Sequence, residues 1–361
     1  MNNNTNVEKL LGRLLESKSE TIKIGCDIHA RNLAVSIQED EARPLRPQLM
    51  LRGQLVRLVQ ALVKAGRKVA VCYETGPCGY GLYFELQGAG AQAFVIVAEV
   101  LGDGRKQKTD KLDAAALCDK LDRYLRGNTK AMTPIRVPSV AEQQARSTGR
   151  LREQLKSSRH QWEARGRSLM LFNGHHVSGK WWSKSRWADL SESLPPWLME
   201  PLTIIRASIL QLDEQEKALR AKLEAAAPKQ LPKAIGALTW VLLLREICDW
   251  GRFKNRRQVS SFSGLCPGVH QSGPRRRDGA INRYGNPRVR ALLIELVWRL
   301  ARWQPDYPPV RALVAGIARG AARRKCAVAA ARRLAVDLWR LATKQTTPQK
   351  LNLLVPTQVL G

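Results

Sequence analysis

The first part of the chain alternates short apolar runs with segments of helical periodicity. Four runs of 5 to 7 residues, rich in Val, Ile and Ala, predict β-strands at residues 22–27, 33–37, 68–74 and 93–98. Between the second and third runs, apolar residues from Leu55 to Val63 recur at the spacing of one helix face. Further helices are predicted at residues 81–88 and 110–121. This order indicates an α/β sheet domain over residues 1–132.

A turn-rich linker with two prolines, residues 133–139, precedes a helical middle segment at residues 140–227. Within it, apolar residues step by three and four along a seam that runs from Leu202 to Leu223 and includes Glu216. The seam fits either a coiled-coil contact with a second helix or packing of one helix on its own domain. In the coiled-coil case, Glu216 would help to fix the register.

Four tryptophans, Trp181, Trp182, Trp187 and Trp197, lie among basic residues in this middle segment. Such a pattern allows stacking on bases, although tryptophans in a connecting segment more commonly anchor packing. We therefore favour the packing interpretation.

A third, mainly helical domain is predicted at residues 228–345, followed by a loose tail at residues 346–361. Its predicted elements are a turn at Gly236 that leads into a buried helix, a short helix from Arg256 towards Pro267, a basic loop at residues 274–285, and helices at residues 289–303 and 323–341. The last helix is strongly basic, with Arg323, Arg324, Lys325, Arg332, Arg333 and Arg340.

The charge of the chain indicates its kind of partner. With 60 Lys and Arg against 31 Asp and Glu, the formal net charge is +29. Lys and Arg replace counterions on phosphates, so nucleic acid is the expected partner, with an anionic membrane surface or a ribosomal setting as alternatives. No apolar run approaches the ~20 residues that span a bilayer. The polar start lacks a signal-peptide core, and a soluble intracellular protein is predicted.

The seven cysteines are scattered and form no Cys-x-x-Cys pair. Their odd number and irregular spacing argue against a disulfide framework and a zinc site. We expect reduced, mostly buried thiols.

Four acidic residues form the candidate chemistry. Asp27 and Glu74 end two predicted strands, and Asp110 and Asp113 lie three residues apart on one helix face. Clustered carboxylates need hard cations between them, and oxygen ligands select Mg²⁺ or Mn²⁺. Two such ions would suit phosphodiester chemistry. The residues alone also allow Asp110 to cap its helix and Glu74 to pair with Lys23 or Lys68.

A family resemblance strengthens the metal interpretation. The segments that carry it are GCDIHARNLAVSI, YETGPCGYGLYFEL, KTDKLDAAALCDKL and DWGRFKNRRQVSSFSGLCPGVHQSGPRRRDGAINRYGNPRVRALLIELVW. In this order they resemble the insertion-sequence transposases of the IS110/IS1111 family, which includes the Piv-type DNA invertases. The resemblance implies an RNase H-like (RuvC-like) first domain with Asp27, Glu74, Asp110 and Asp113 as its DEDD metal ligands. It also implies a helical coiled-coil middle and a mainly α transposase domain.

The resemblance further implies that Ser272 attacks DNA and forms a phosphoserine link. A serine before glycine is otherwise usually a turn residue. Ser260, Ser261 and Ser263 are the rival candidates, and their place before Gly264 is typical of a helix end.

Basic residues near these segments are the candidate nucleic-acid contacts, because arginine groups can hold a phosphate. They are Arg275, Arg276, Arg277, Arg283, Arg288, Arg105, Lys106 and Lys108.

Two further residues qualify the picture. The family's Pro-Gly-Ile-Gly hairpin is replaced here by residues 232–236, and Ala234 narrows the backbone conformations available to that turn. His29, next to the acid Asp27, could act as a base, although a histidine in a turn is more commonly structural.

The leading functional prediction is a transposase that cuts and exchanges DNA strands and is guided by a bridge RNA, the RNA being implied by the resemblance. A Piv-like invertase, a RuvC-like junction nuclease and a basic architectural nucleic-acid-binding protein are the alternatives. Recombination of two duplexes requires several active sites, so a homodimer that pairs into a tetramer is expected. The resemblance places the protein in the bacterial cytoplasm, associated with the nucleoid.

Overall fold

The computed structural model of the chain describes residues 2–97, 110–272, 275–316 and 319–355. Within these ranges, the side chains of residues 2–5, 110–112 and 269–278 lie outside the description. The chain divides into two compact units, Met1–Val137 and Pro138–Gly361.

The first unit is built on a mixed five-stranded sheet. Its elements in chain order are α1 (Asn2–Glu16), β1 (Thr21–Ile28), β2 (Leu33–Glu39), β3 (Gln48–Met50), α2 (Arg52–Lys64), β4 (Lys68–Glu74), α3 (Gly81–Gly88), β5 (Gln92–Ile96) and α4 (Asp110–Leu125). The strand order is β3-β2-β1-β4-β5, with antiparallel pairing from β3 to β1 and parallel pairing from β1 to β5. The predicted α/β architecture is confirmed, whereas α1 and the three-residue β3 were not predicted.

The two faces of this sheet bury different cores. On one face, Ile24 and Val71 belong to the cluster that α1, α2 and α3 complete. On the other face, Cys72 belongs to a smaller cluster with Leu117 and Leu121 of α4. Since side chains alternate along a strand, the positions of β1 and β4 divide between these two faces.

Helix α4 crosses β1 at Gly25, where the two backbones approach too closely for a side chain. A Cβ atom on Gly25 would lie 2.3 Å from the carbonyl oxygen of Ala114 and 2.3 Å from the amide nitrogen of Cys118. Further back along β1, the buried ammonium of Lys23 is ion-paired with the carboxylate of Asp122. These contacts hold α4 antiparallel to β1 in a defined register.

The Lys23–Asp122 pair also sets the protonation of its carboxylate. Burial acts to raise the pKa of Asp122, but hydrogen bonds from Lys23 and Arg126 outweigh burial, and the pKa is lowered. Asp122 is therefore anionic at neutral pH, as the pairing with Lys23 requires.

The buried thiols are protonated at neutral pH. Burial is the main cause that raises the pKa of Cys72 and Cys118 to about 12, and it raises that of Cys26 well above its ordinary value. All seven cysteines are free, but only three, Cys26, Cys72 and Cys118, are buried, so the expectation of mostly buried thiols was wrong.

The second unit is mainly helical. Its elements are α5 (Val140–Phe172), α6 (Lys184–Ser193), α7 (Pro196–Glu224), α8 (Ala237–Ile247), α9 (Arg256–Ser263), β6 (Pro267–Ser272), β7 (Arg275–Ile281), α10 (Pro287–Trp303), α11 (Arg311–Val314) and α12 (Gly320–Ala342), with 3-10 turns at Pro308–Val310 and Gln349–Leu351. In the described parts of both units, none of the helices is long and apolar enough to cross a membrane.

The seam on α7 packs against α5 of the same chain. Leu202 and Ile209 are fully buried there, and Glu216 accepts hydrogen bonds from Arg152 (2.8 Å) and Arg159 (3.3 Å) of α5. Of the two arrangements that the pattern allowed, the structure therefore shows packing within the domain. Because a buried arginine needs a carboxylate opposite it, Glu216 fixes the register between the two helices.

The tryptophans at the connection between α5 and α6 mainly serve packing. Trp181 is fully buried, and its indole nitrogen donates to the Glu163 carbonyl oxygen at 3.1 Å. Its ring fills the space above Gly166, where a Cβ atom would lie 2.1 Å from a ring carbon. Trp182 is also buried, whereas Trp197 is 60% exposed.

The C-terminal helices share one core. Leu243 of α8, Leu296 of α10 and Leu334 of α12 belong to a single buried cluster. Beside it, the hydroxyl of the buried Tyr307 donates to Asp337 Oδ2 at 2.7 Å. Burial is the main cause that raises the pKa of both side chains.

Two sequence predictions for this unit were wrong. The basic segment at residues 274–285 was predicted as a loop, but Arg275–Ile281 forms β7, antiparallel to β6. Its consecutive arginines concealed the strand alternation. The tail was predicted to be loose over residues 346–361; in its described part, residues 346–355, Leu353 is buried and the backbone of Leu354 bonds to Lys233 and Gln304, and residues 356–361 lie outside the description.

A buried carboxylate joins α5, α8 and α10. Glu246 accepts two hydrogen bonds from Arg150, both 3.0 Å long, and one of 2.9 Å from Asn286. Burial acts to raise the pKa of Glu246, but these hydrogen bonds and the charges of Arg150 and Arg146 outweigh it, so the pKa is lowered.

The first prediction concerns the contact at Gly25. Gly25→Ala should lower the free energy of unfolding by about 1–3 kcal/mol or more, because the added methyl group must push α4 off the sheet. Gly53→Ala, with nothing within 4 Å of the new atom, is the control and should be neutral or stabilising by up to about 1 kcal/mol. Urea denaturation measures both. Equal stability of Gly25→Ala and the wild type would contradict the packing described.

The second prediction concerns Glu246. Glu246→Gln should destabilise the second unit by roughly 1–3 kcal/mol at pH 7, because it removes the charge that faces Arg150. The lowered pKa means that this contribution is full above the unfolded-state pKa and is lost as pH falls through the folded-state value. The stability difference between variant and wild type should therefore shrink as pH falls below ~4.3, as measured by denaturation at several pH values. A difference independent of pH would refute the charged pairing.

Candidate active site

Asp27 and Glu74 lie level with each other at the ends of neighbouring strands. The parallel strands β1 and β4 pair with Cys26 opposite Tyr73, so the next residues, Asp27 and Glu74, stand side by side. Neighbouring strands are about 4.8 Å apart. Both side chains are partly exposed. The strand pairing thus brings together two of the four predicted acids.

Both acids project from the face of the sheet that α4 covers. Cys26 and Tyr73, one residue earlier, belong to the core on the opposite face. Side chains alternate along a strand, so Asp27 shares its face with Gly25, and Glu74 shares its face with Cys72. Gly25 meets α4 directly, and Cys72 lies in the α4 cluster.

The register of α4 carries the two remaining acids towards this end of the sheet. Asp122 lies beside Lys23, and Ala114 and Cys118 lie beside Gly25. Four residues of helix rise about 6 Å and two residues of strand about 6.7 Å, so the two elements stay nearly in step. The next step places the first turn of α4 level with Asp27.

That first turn begins at Asp110 and includes Asp113. The Asp113 side chain is partly buried, next to the fully buried Ala114. The Asp110 side chain lies outside the described residues. The side chains of Asp27, Glu74 and Asp113 are described. No three His, Cys, Asp or Glu residues among the described side chains, these included, gather as metal ligands. The metal site therefore stays a prediction.

His29 contacts the first acid. Its Nε2 atom lies 3.2 Å from Asp27 Oδ2, and its backbone amide donates to the Asn32 carbonyl oxygen in the turn between β1 and β2. The imidazole is about half exposed. His29 is therefore placed to orient the Asp27 carboxylate, in keeping with the structural role favoured from the sequence.

Ser272 belongs to the second unit, where it ends β6. Its partner across the hairpin is Arg275, the first residue of β7. Residues 273–274 and the side chains of Ser272, Arg275, Arg276 and Arg277 lie outside the description. The predicted nucleophile thus has a backbone position next to the hairpin connection.

Two of the rival serines serve the helix end. Ser260 and Ser263 of α9 are 2% and 1% exposed, and their hydroxyls donate to the carbonyl oxygens of Arg256 and Ser260. Ser261 is exposed, and its carbonyl oxygen accepts from Gly264, which closes the helix in the left-handed conformation. The hydroxyls of Ser260 and Ser263 are therefore buried and engaged with the backbone of α9.

The other basic candidates differ in their surroundings. Arg105, Lys106 and Lys108 lie outside the described residues. Arg288 pairs with Glu153 of α5 at 2.5 Å, and Arg283 follows the hairpin with a positive φ of 61°.

The Lys23–Asp122 pair was not predicted from the sequence, because no local pattern links residues so far apart.

The turn at residues 232–236 has the conformation that the missing glycine would favour. The amide of Ile235 donates to the Pro232 carbonyl oxygen at 3.0 Å, and Ala234 has a φ of 72°. A residue with a side chain is strained in this left-handed region.

Comparison with known proteins identifies the kind of protein to which the chain is related. Residues 232–311 match the profile of the Transposase IS116/IS110/IS902 family. Two proteins of Sinorhizobium fredii with provisional transposase names are similar: y4qE is 26% identical over 70% of this chain and 63% of its own length, and y4rJ is 28% identical over 71% and 73%. The transposase for insertion sequence element IS1533 of Leptospira borgpetersenii is 22% identical over 77% of this chain and 85% of its own length.

These matches relate the chain to one class, the insertion-sequence transposases. Within that class, they confirm the resemblance to the IS110 family that was predicted from the sequence. The match covers somewhat less than two thirds of y4qE.

The third prediction concerns Ala234. Ala234→Gly should stabilise the second unit by about 0.5–1 kcal/mol, because glycine adopts a positive φ without strain. The control is Ala221→Gly, on the exposed side of α7, which should cost about 0.5–1 kcal/mol. Thermal unfolding compares the two. A loss of stability with Ala234→Gly would argue against a left-handed residue at this position.

Proposed function

We propose that the chain is a metal-dependent DNA transposase that cuts and exchanges strands with a DEDD carboxylate site and a serine nucleophile. The observation that carries this proposal is the level placement of Asp27 and Glu74 on neighbouring parallel strands, on the face where α4 packs. The transposase relatives supply the class of reaction, and the DNA substrate follows from that class and from the net charge of +29.

The donor set fits hard divalent cations. Asp27, Glu74, Asp110 and Asp113 offer only carboxylate oxygens, which suit Mg²⁺ or Mn²⁺ and do not select zinc. Two bound ions would supply Lewis-acid stabilisation of the charge at phosphorus. Without cations, four clustered carboxylates would repel one another and the phosphodiester.

The protein's own contribution is to hold the carboxylates in place. Asp27 and Glu74 are fixed by the strand pairing, and α4 is fixed by its contact with Gly25 and by the Lys23–Asp122 pair. His29 holds one oxygen of Asp27. Carboxylates held in this way need less reorganisation when cations bind.

The serine step exchanges one phosphate ester for another. The Ser272 Oγ attacks phosphorus, the bond from phosphorus to the leaving hydroxyl oxygen breaks, and the serine proton passes to that oxygen. A second strand's hydroxyl then attacks the phosphoserine, and its proton returns to Ser272. The number of phosphodiester bonds is conserved, so exchange needs no external energy source.

Further partners extend the proposal. By resemblance, a bridge RNA guides the choice of DNA sites. Two duplexes require several active sites, so we propose a homodimer that pairs into a tetramer. The α7 seam is occupied by α5 of the same chain, and this assembly therefore has to use another surface.

The fourth prediction tests the proposed roles of Ser272 and of the acid Asp27. In Mg²⁺, wild-type protein should form a covalent adduct with DNA that carries element ends, detectable as a shifted band after denaturation. Ser272→Ala should abolish the adduct, and Asp27→Asn should slow its formation at least roughly a hundredfold. Strand exchange by Ser272→Ala would exclude the serine mechanism in favour of a RuvC-like nuclease reaction.

Matched controls separate chemistry from folding. Ser261→Ala removes an exposed hydroxyl near the same hairpin, and Asp119→Asn removes an exposed acid of α4. Both variants should form the adduct at the wild-type rate. If Asp27→Asn were as active as Asp119→Asn, the acids would have no role in catalysis, as an architectural protein requires.

A further inference from the structure

A strongly basic groove lies on the second unit, between α9, the end of β7 and α12. Its volume is about 1590 Å³. Among its described lining residues, eight are Lys or Arg, and one, Asp337, is acidic. Helix α9 contributes Arg256 and Arg257, and α12 contributes Arg324, Lys325, Arg332 and Arg333. None of these residues belongs to the candidate active site.

The cations of the groove outnumber the acidic residues in its described lining. Across the described part of the chain, the six named Arg and Lys residues form no ion pair with a carboxylate. Asp337 accepts from the hydroxyl of Tyr307, lies 4.0 Å from Arg340 and also interacts electrostatically with Arg333, so its charge is already engaged. Arg152 and Arg159 of α5, by contrast, both face Glu216. The groove is therefore built to receive a negative charge from outside the chain.

The cations of α12 recur at a regular distance. The pairs Arg324–Lys325 and Arg332–Arg333 are eight residues apart, which is about 12 Å along a helix. Small apolar residues, Val328 and Ala329, lie between the pairs and line the same groove. This spacing is close to the width of the major groove of duplex DNA, about 12 Å, across which two phosphate backbones face each other.

We infer that this groove binds the sugar–phosphate backbone of duplex DNA, outside the active site and without reading sequence. The described lining contains one aromatic side chain, that of Tyr307, which is fully buried. The described lining therefore offers no exposed aromatic ring for the stacking on which single-strand binding relies. The inference rests on the proposed transposase function only in that DNA is the polyanion concerned.

The fifth prediction tests the groove by binding alone. Arg324→Gln with Arg333→Gln should weaken binding of a random-sequence 30-base-pair duplex roughly twentyfold at about 0.2 M salt, since each phosphate contact releases about 0.9 counterion. The slope of log K against log salt should become shallower by about 1.8. Fluorescence anisotropy without divalent ions and in an Asp27→Asn background measures both, so failure of catalysis and failure of the groove stay distinguishable.

The control removes the same charge elsewhere on the second unit. Lys156 and Arg165 of α5 are exposed, and Lys156→Gln with Arg165→Gln should leave affinity and slope within twofold of wild type. Arg324→Lys with Arg333→Lys should also retain binding, and equal melting temperatures would show that every variant is folded. Equal losses in groove and control variants would overturn the inference. So would a loss confined to single-stranded DNA or to RNA.

Discussion

The candidate active site depends on the packing of helix α4 against strand β1, where no side chain separates the two backbones. Gly25 allows α4 to touch β1, and the buried Lys23–Asp122 pair prevents the helix from sliding along the strand. Without this contact, Asp27 and Glu74 would still stand on their strands, but the first turn of α4 would have no fixed height. The packing at Gly25, two residues before Asp27, thus decides whether the four carboxylates can act together.

The strands that carry the acids could be predicted from the sequence because parallel, buried strands are short apolar runs with clear ends. β1 and β4 are such runs, and a family resemblance singled out their last acids. The register of α4 could not be predicted, since it depends on contacts between residues about a hundred positions apart. Strand β7 was missed because three consecutive arginines hide a two-residue alternation. The partner of the α7 seam stayed open because one helix face does not reveal what covers it.

Net charge predicted a polyanionic partner but not its place on the molecule. In the structure, the cations differ in whether a carboxylate lies opposite them. The arginines of the helical hairpin α5–α7 are neutralised by buried carboxylates and belong to the fold. Those of α9 and α12 line an open groove whose described lining holds one acid, Asp337, which is already engaged. The net charge counts both groups equally, although of the two only the second is available to bind an anionic ligand.

Helix α5 makes contacts in the second unit that depend on the rotation of each residue about the helix axis. Over 33 residues, about 50 Å of helix, it meets α8 through Arg150, α7 through Arg159 and the Trp181 ring through Gly166. All three contacts must point in the correct directions at once. One inserted or deleted residue turns everything beyond it by about 100°. Insertions or deletions in α5 are therefore compatible with the fold only where together they add or remove whole helical turns. The length of this helix thus fixes the relative orientation of its contacts.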